Sequence, residues 1–113
     1  MHAKIIENEL KRAGYKVEIK GKITGVSGIS HTFDIVARKK NKVLCFNIAE
    51  YDLLETLLKT LIRSIDLKNK AEVYLIASRK VVEEYGVNMV SKFRILSYDT
   101  REDLLNLIKQ LIS

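Results

Sequence analysis

The chain has 113 residues, 47% of them apolar and 30% charged, with a formal net charge of +6. That length fits one domain, 1–113, which can build a core without a metal or disulfide staple. The single cysteine, Cys45, excludes an intrachain disulfide and offers no zinc-ligand spacing. Lys4, Glu7 and Glu9 break any apolar leader, and no run approaches the roughly 18 apolar residues of a membrane span. A cytoplasmic protein without a membrane partner is expected.

Residues 2–13 read as a helix, because Ile5, Ile6, Leu10 and Ala13 recur at helical spacing. Gly14 supplies the stop, where positive φ costs little. Residues 15–20 alternate as a strand, with Tyr15, Val17 and Ile19 on one face and Lys16, Glu18 and Lys20 on the other. Gly21, Gly25 and Gly28, mixed with Thr24 and Ser27, mark a flexible connection. Residues 32–37 form a second strand, 38–42 a polar turn, and 43–49 a third strand whose apolar character places it centrally in the sheet.

Residues 52–66 form the clearest helix. Leu54, Leu57, Leu58, Leu61, Ile62 and Ile65 repeat at three and four, and Asp52 sits near its start, where a negative charge is favourable. A short apolar strand spans 72–77, and Ser78 caps a helix at 79–86. A last strand spans 93–97. Thr100 opens the final helix with Asp103 three residues on, a capping-box spacing. Its buried face is Leu104, Leu105, Ile108, Leu111 and Ile112, with Leu107 beside the stripe as apolar surplus. The order is α-β-β-β-α-β-α-β-α. Short early turns imply antiparallel pairing, and later helical crossovers imply parallel pairing. The expected class is α/β, a mixed sheet with helices on both faces.

The chemistry gathers around residues 25–50. On alternating strands Thr32, Asp34 and Val36 share one face and Phe33, Ile35 and Ala37 the other. On the next strand Val43, Cys45, Asn47 and Ala49 share a face. Asp34 in a largely apolar strand must be paired, hydrogen-bonded or metal-bound. A metal-ligand role and a structural role capping the glycine loop both satisfy that need. Cys45, between Leu44 and Phe46, reads as a buried small apolar residue.

The strand pair carrying Asp34 and Asn47-Ile48-Ala49 resembles the metal-binding hairpin of the PD-(D/E)XK nuclease superfamily. There an Asp on one strand is followed, on the next, by an acid, any residue and a Lys. The resemblance covers about residues 2–78 and includes the archaeal Holliday-junction resolvases and restriction-endonuclease-like proteins, which share this element order. It implies a restriction-endonuclease-like core. Glu9 matches the acid often found on the first helix, Ser27-Gly28 the loop, and Asp34 the first motif acid. Asn47 and Ala49 stand where the second acid and the lysine should be, so the second motif is degenerate. In an active member two carboxylates hold Mg²⁺ as hard oxygen ligands, and positive charge stabilises the developing phosphorane. If chemistry has been relocated here, Glu9, Asp34 and Glu50 form the catalytic set, with Asp34 and Glu50 on Mg²⁺. If the site is inactive, no cofactor is implied.

His31, three residues before Asp34, has two roles open to it. It can touch phosphate or act as a general acid, or it can donate a hydrogen bond that fixes the loop. The glycine segment lacks GxxxxGK[ST] and a following helix, so it is not a phosphate-binding loop of that kind. Basic residues cluster as Lys16, Lys20 and Lys22; Arg38, Lys39, Lys40 and Lys42; and Lys59, Arg63, Lys68 and Lys70. These are solvated faces, or, if they converge around Asp34 with Ser27, a phosphate-backbone footprint. The expected function is a nuclease-fold nucleic-acid-binding protein, DNA favoured, with an incomplete metal site. The alternatives are an active Mg²⁺-dependent endonuclease with relocated residues, and a non-enzymatic homodimeric interaction module.

Overall fold

Alternating and helical hydrophobic patterns resolve into five strands in one sheet and four helices, in a computed structural model that describes residues 2–50, 52–85 and 94–113. The elements are α1 His2–Arg12, β1 Lys16–Thr24, β2 Ser30–Lys39, β3 Lys42–Ala49, α2 Leu53–Asp66, β4 Glu72–Ser78, α3 Arg79–Tyr85, β5 Arg94–Tyr98 and α4 Arg101–Ile112. The expected helix end at 86 and strand start at Phe93 lie outside the described residues. The strands lie in sequence order, with β1–β2 and β2–β3 antiparallel and β3–β4 and β4–β5 parallel. β3 is central, as its apolar run implies.

Each face of the sheet has its own core. Ile5, Ile6 and Leu10 of α1 and Leu104 and Ile108 of α4 pack on Ile35, Ala37, Leu44, Phe46, Tyr74 and Ile76. Phe46 and Tyr74 stack with centroids 5.3 Å apart. On the other face, Leu53 of α2, with Leu57, Leu61 and Val82, covers Val36, Cys45, Val73, Leu75 and Ala77. Helices on both faces follow from strands that are apolar on both sides. No described helix is long and apolar enough to cross a membrane.

The expected alternation fails at Asp34. Ile35 and Ala37 face α1, but Phe33 joins Val36 in the α2-side core. The β1–β2 ladder runs from Lys16↔Arg38 to Ile19↔Ile35 and resumes at Gly21↔Phe33, leaving Lys20 and Asp34 out of register pairing. Lys20 has φ 55. The β2–β3 ladder stops at Ile35↔Phe46. The distal half of the hairpin therefore turns off the sheet toward α2, with one residue of each strand, Lys20 and Asp34, left out of the ladder and the register unchanged. Gly21 sits at the bend, where a Cβ would lie 2.8 Å from Val36 Cβ. Beyond it, Arg63 lies over the Phe33 ring at 5.9 Å.

The glycine segment is not the flexible connection its composition suggests. β1 continues through Gly21 to Thr24, and only Gly25–Ile29 turns, with Gly28 at φ 89. The tip is fastened to the last turn of α2: Val26 N–H donates to the Asp66 carbonyl at 2.7 Å, and Lys70 Nζ to the Thr24 carbonyl at 3.0 Å.

α2 buries only part of its apolar repeat. Leu53, Thr60 and Ser64 are buried, with Leu57 and Leu61 partly so, while Leu54, Leu58, Ile62 and Ile65 are exposed. Three-and-four spacing fits two adjacent stripes equally, and the sheet selects the more polar one. Thr60 and Ser64 tolerate burial because their hydroxyls donate to the Thr56 carbonyl at 2.6 Å and the Leu61 carbonyl at 2.7 Å. On α4 the Thr100 hydroxyl accepts from Asp103 N–H at 3.1 Å as expected, but the Asp103 carboxylate accepts from Asp99 N–H, one residue before the cap. Leu107 packs against the α1-side core, so the apolar surplus lies on α2 and not on α4.

Candidate functional site

Where β2 leaves β3, the two strands exchange side-chain bonds for the missing ladder. Asp34 N–H donates to Asn47 Oδ1 at 3.3 Å, and Ile48 N–H donates to Asp34 Oδ2 at 2.7 Å. The other Asp34 oxygen accepts from Lys20 Nζ at 2.9 Å. Lys20, Asp34, Glu50, Asp52 and Thr56 line one depression of about 390 Å³, floored by Ala3, Ile19 and Ile48. Asp52 stands at the N-cap of α2 without a side-chain capping bond. The Glu50 charge also reaches Tyr98, whose hydroxyl pKa is raised by burial first and by Glu50 second.

Asn47 and Ala49 do not enter this depression. Both face α2, at 5% and 3% exposure, and Asn47 Nδ2 donates to Thr60 Oγ1 at 3.0 Å. Glu9 is also elsewhere. It is buried in a separate cleft of about 520 Å³ between α1 and α4, beside Arg101 and Glu102, and accepts from Arg12 at 2.9 Å. The expected triad of Glu9, Asp34 and Glu50 is therefore split, since only the last two share a depression. The cause is helical phase: Ala3 is the α1 residue that reaches the depression, whereas Glu9 lies near the other end of that helix.

Mg²⁺ does not fit the residues present. Both Asp34 oxygens already accept hydrogen bonds, one from a cation. Among the described residues no group of three or more His, Cys, Asp or Glu side chains is arranged to hold a metal ion.

His31 lies away from Asp34's partners, with Nε2 2.6 Å from Asp66 Oδ2. Asp66 also accepts from the Ser27 hydroxyl at 2.7 Å and Ser27 N–H at 2.9 Å. The Ser27 hydroxyl above all, then His31, then the Ser27 amide hold the Asp66 pKa down at about 2. His31 is thus hydrogen-bonded as a loop-fixing residue would be, and the exposed Ser27 bonds to the end of α2. Gly25 belongs to the same latch, since a Cβ there would lie 2.1 Å from Asp66 Oδ2. Asp66 was invisible in the sequence as a hub, because it reads there as an ordinary last-turn residue.

Apart from Lys20, the basic residues singled out in the sequence are engaged elsewhere or exposed. Arg38 pairs with Glu18 and donates to the Lys22 carbonyl at 3.2 Å. Lys59 pairs with Glu55 at 2.9 Å, and Lys39 donates to the Ala13 carbonyl at 2.6 Å. Arg63 lies over Phe33. Lys22 and Lys40 are exposed. Lys42 and Lys70 line a shallow depression of about 320 Å³ with Asn41 and Asn69 at the opposite end of β3. The turns there hold Lys40 at φ 55 and Asn69 at φ 66. Lys39 lies five residue steps along the strand from Asp34, about 17 Å at the usual rise.

No family model and no curated protein matches the chain. Among solved structures the chain is similar to the crystal structure of a protein of unknown function, AF1548, at 12% identity and a TM-score of 0.57. That match covers 94% of this chain and 65% of the other, so this chain spans less than two thirds of its neighbour's length. At this identity the likeness speaks for the fold alone.

Proposed function

We propose that the chain is a non-cleaving relative of the PD-(D/E)XK nucleases that binds nucleic acid, DNA above all, through the phosphate backbone. The nuclease-like core is supported by the run α1-β1-β2-β3-α2-β4, with an antiparallel meander followed by a parallel strand. The observation that carries the absence of cleavage is the closure of Asp34 by Lys20 Nζ and Ile48 N–H, with Asn47 turned into the α2 interface. We assign binding to the sheet end bearing Lys40 and Lys42 with Asn41 and Asn69, where Lys70 donates to the Thr24 carbonyl and the Glu72 carboxylate accepts from the Tyr74 hydroxyl. Ammonium and amide donors at a shallow, open surface suit phosphate oxygens and give no base readout.

Gel-shift titrations on duplex, branched and single-stranded DNA across a salt series test both parts. The expected result is retardation that weakens steeply with salt, each phosphate contact contributing about −0.9 to the log–log slope on duplex DNA. Lys40→Ala with Lys42→Ala should make that slope shallower. No retardation of any DNA or RNA rejects nucleic-acid binding. With Mg²⁺ or Mn²⁺ no cleavage is expected. Cleavage that Asp34→Ala abolishes would replace this proposal with a relocated site using Glu50.

A further inference from the structure

We propose that the outer face of α2 is the contact surface of a homodimer, with α2 packed antiparallel on α2 of a second copy. Leu54, Leu58, Ile62 and Ile65 fall within about 80° of arc at helical spacing and run about 16 Å along the axis. Val26 and Ile29 extend the apolar surface from the hairpin tip, which Asp66 ties to the same end of the helix. These six aliphatics are each 51–69% exposed. Among the described residues the other exposed large apolar side chain is Ile19, at 47% and at the Asp34 depression.

The area suits a dimer. Taking about 120 Å² for a fully exposed large aliphatic side chain, the six offer about 400 Å². A standard interface takes about 800 Å² per partner, about 65% of it apolar in homodimers, or about 520 Å². The stripe supplies most of that requirement from one continuous helix face and its adjoining turn.

Two features select a second copy as the occupant. The spacing of the stripe is close to palindromic, so antiparallel pairing sets Leu54 against Ile65 and Leu58 against Ile62 of the other copy. Aliphatic then meets aliphatic along the whole length, as an isologous contact demands. The charged rim is also already compensated. Glu55 pairs with Lys59 at 2.9 Å, and the charges carried by α2 itself, Glu55, Lys59, Arg63 and Asp66, sum to zero. No uncompensated run of one sign is left there to draw an acidic helix or an anionic lipid surface.

Light scattering coupled to size exclusion, over a wide concentration range, tests the dimer separately from nucleic-acid binding. The 13.0 kDa chain should run at twice its mass. Leu58→Glu with Ile62→Glu should run as a monomer with unchanged circular dichroism, whereas Ile19→Glu should stay dimeric. Mixing Leu58→Cys protein with Ile62→Cys protein and oxidising mildly should give a covalent pair, and Lys109→Cys should not. A wild-type chain at monomer mass throughout overturns the proposal. So does a double-glutamate variant that remains dimeric, or oxidation that yields no cross-link between the two cysteine variants.

Discussion

Asp34 and Asn47 face each other across the point where two strands part, and each supplies a side chain in place of a lost ladder bond. Asp34 N–H is taken by Asn47 Oδ1, while the Asp34 carboxylate takes Ile48 N–H and Lys20 Nζ. Asn47 in turn donates to Thr60, so one polar chain links β1, β2, β3 and α2. An unmade bond to a backbone N–H at such a place is costly, and the carboxylate in this apolar strand removes that cost.

The two Asp34 bonds should differ in worth. Asp34→Ala strips Ile48 N–H of its acceptor and should lower stability by about 1–3 kcal/mol. Asp34→Asn keeps an oxygen for that N–H and weakens mainly the exposed Lys20 pair, a loss of about 1 kcal/mol or less. Urea midpoints of the two variants check this. Equal losses would assign the worth to the ion pair instead.

Installing the second nuclease motif should not create a nuclease. Asn47→Glu with Ala49→Lys would place two charged chains in the buried layer under α2, where their present occupants are 5% and 3% exposed. Burying charge without partners should cost more than ~3 kcal/mol. The expected outcome is a lower melting temperature and no Mg²⁺-dependent cleavage. Gained cleavage in a variant of unchanged stability would contradict the orientation described for β3.

Acid should release the hairpin tip. The Asp66 pKa is held at about 2, chiefly by the Ser27 hydroxyl, against about 3.9 in an unfolded chain. A depressed folded value means the stabilisation is complete above about pH 4 and disappears as pH falls toward 2. Asp66→Asn should therefore flatten the stability–pH curve in that window. A residual slope is expected from Glu7 and Glu55, whose pKa values Lys11 and Lys59 lower. Chemical denaturation at stepped pH is the measurement.

Cys45 should be chemically silent. Burial pushes its thiol pKa up to about 12, so almost no thiolate forms near neutrality. A disulfide reagent at mildly alkaline pH should label it only as fast as the chain opens. Prompt labelling of folded protein would place Cys45 outside the core between β3 and α2.

The order of elements, the parallel and antiparallel pairing, the central β3, the Thr100 cap and the buried Cys45 were all legible from hydrophobic period, turn residues and connection length. These are local properties, written within about ten residues of where they act. What the tertiary structure alone decided is which of two equal stripes α2 buries, and where each carboxylate and lysine ends up. Leu54 and Leu57 have the same chemistry and differ by three places, so only contact with the sheet separates them. Glu9 and Asp34 sit in different clefts because Ala3, and not Glu9, is the α1 residue at the Asp34 depression, and His31 meets Asp66 from 35 residues away because the hairpin bends at Lys20 and Asp34. That bend sums the effects of a missing Cβ at Gly21, a positive φ and a side-chain exchange between strands. No single stretch of sequence carries all of them.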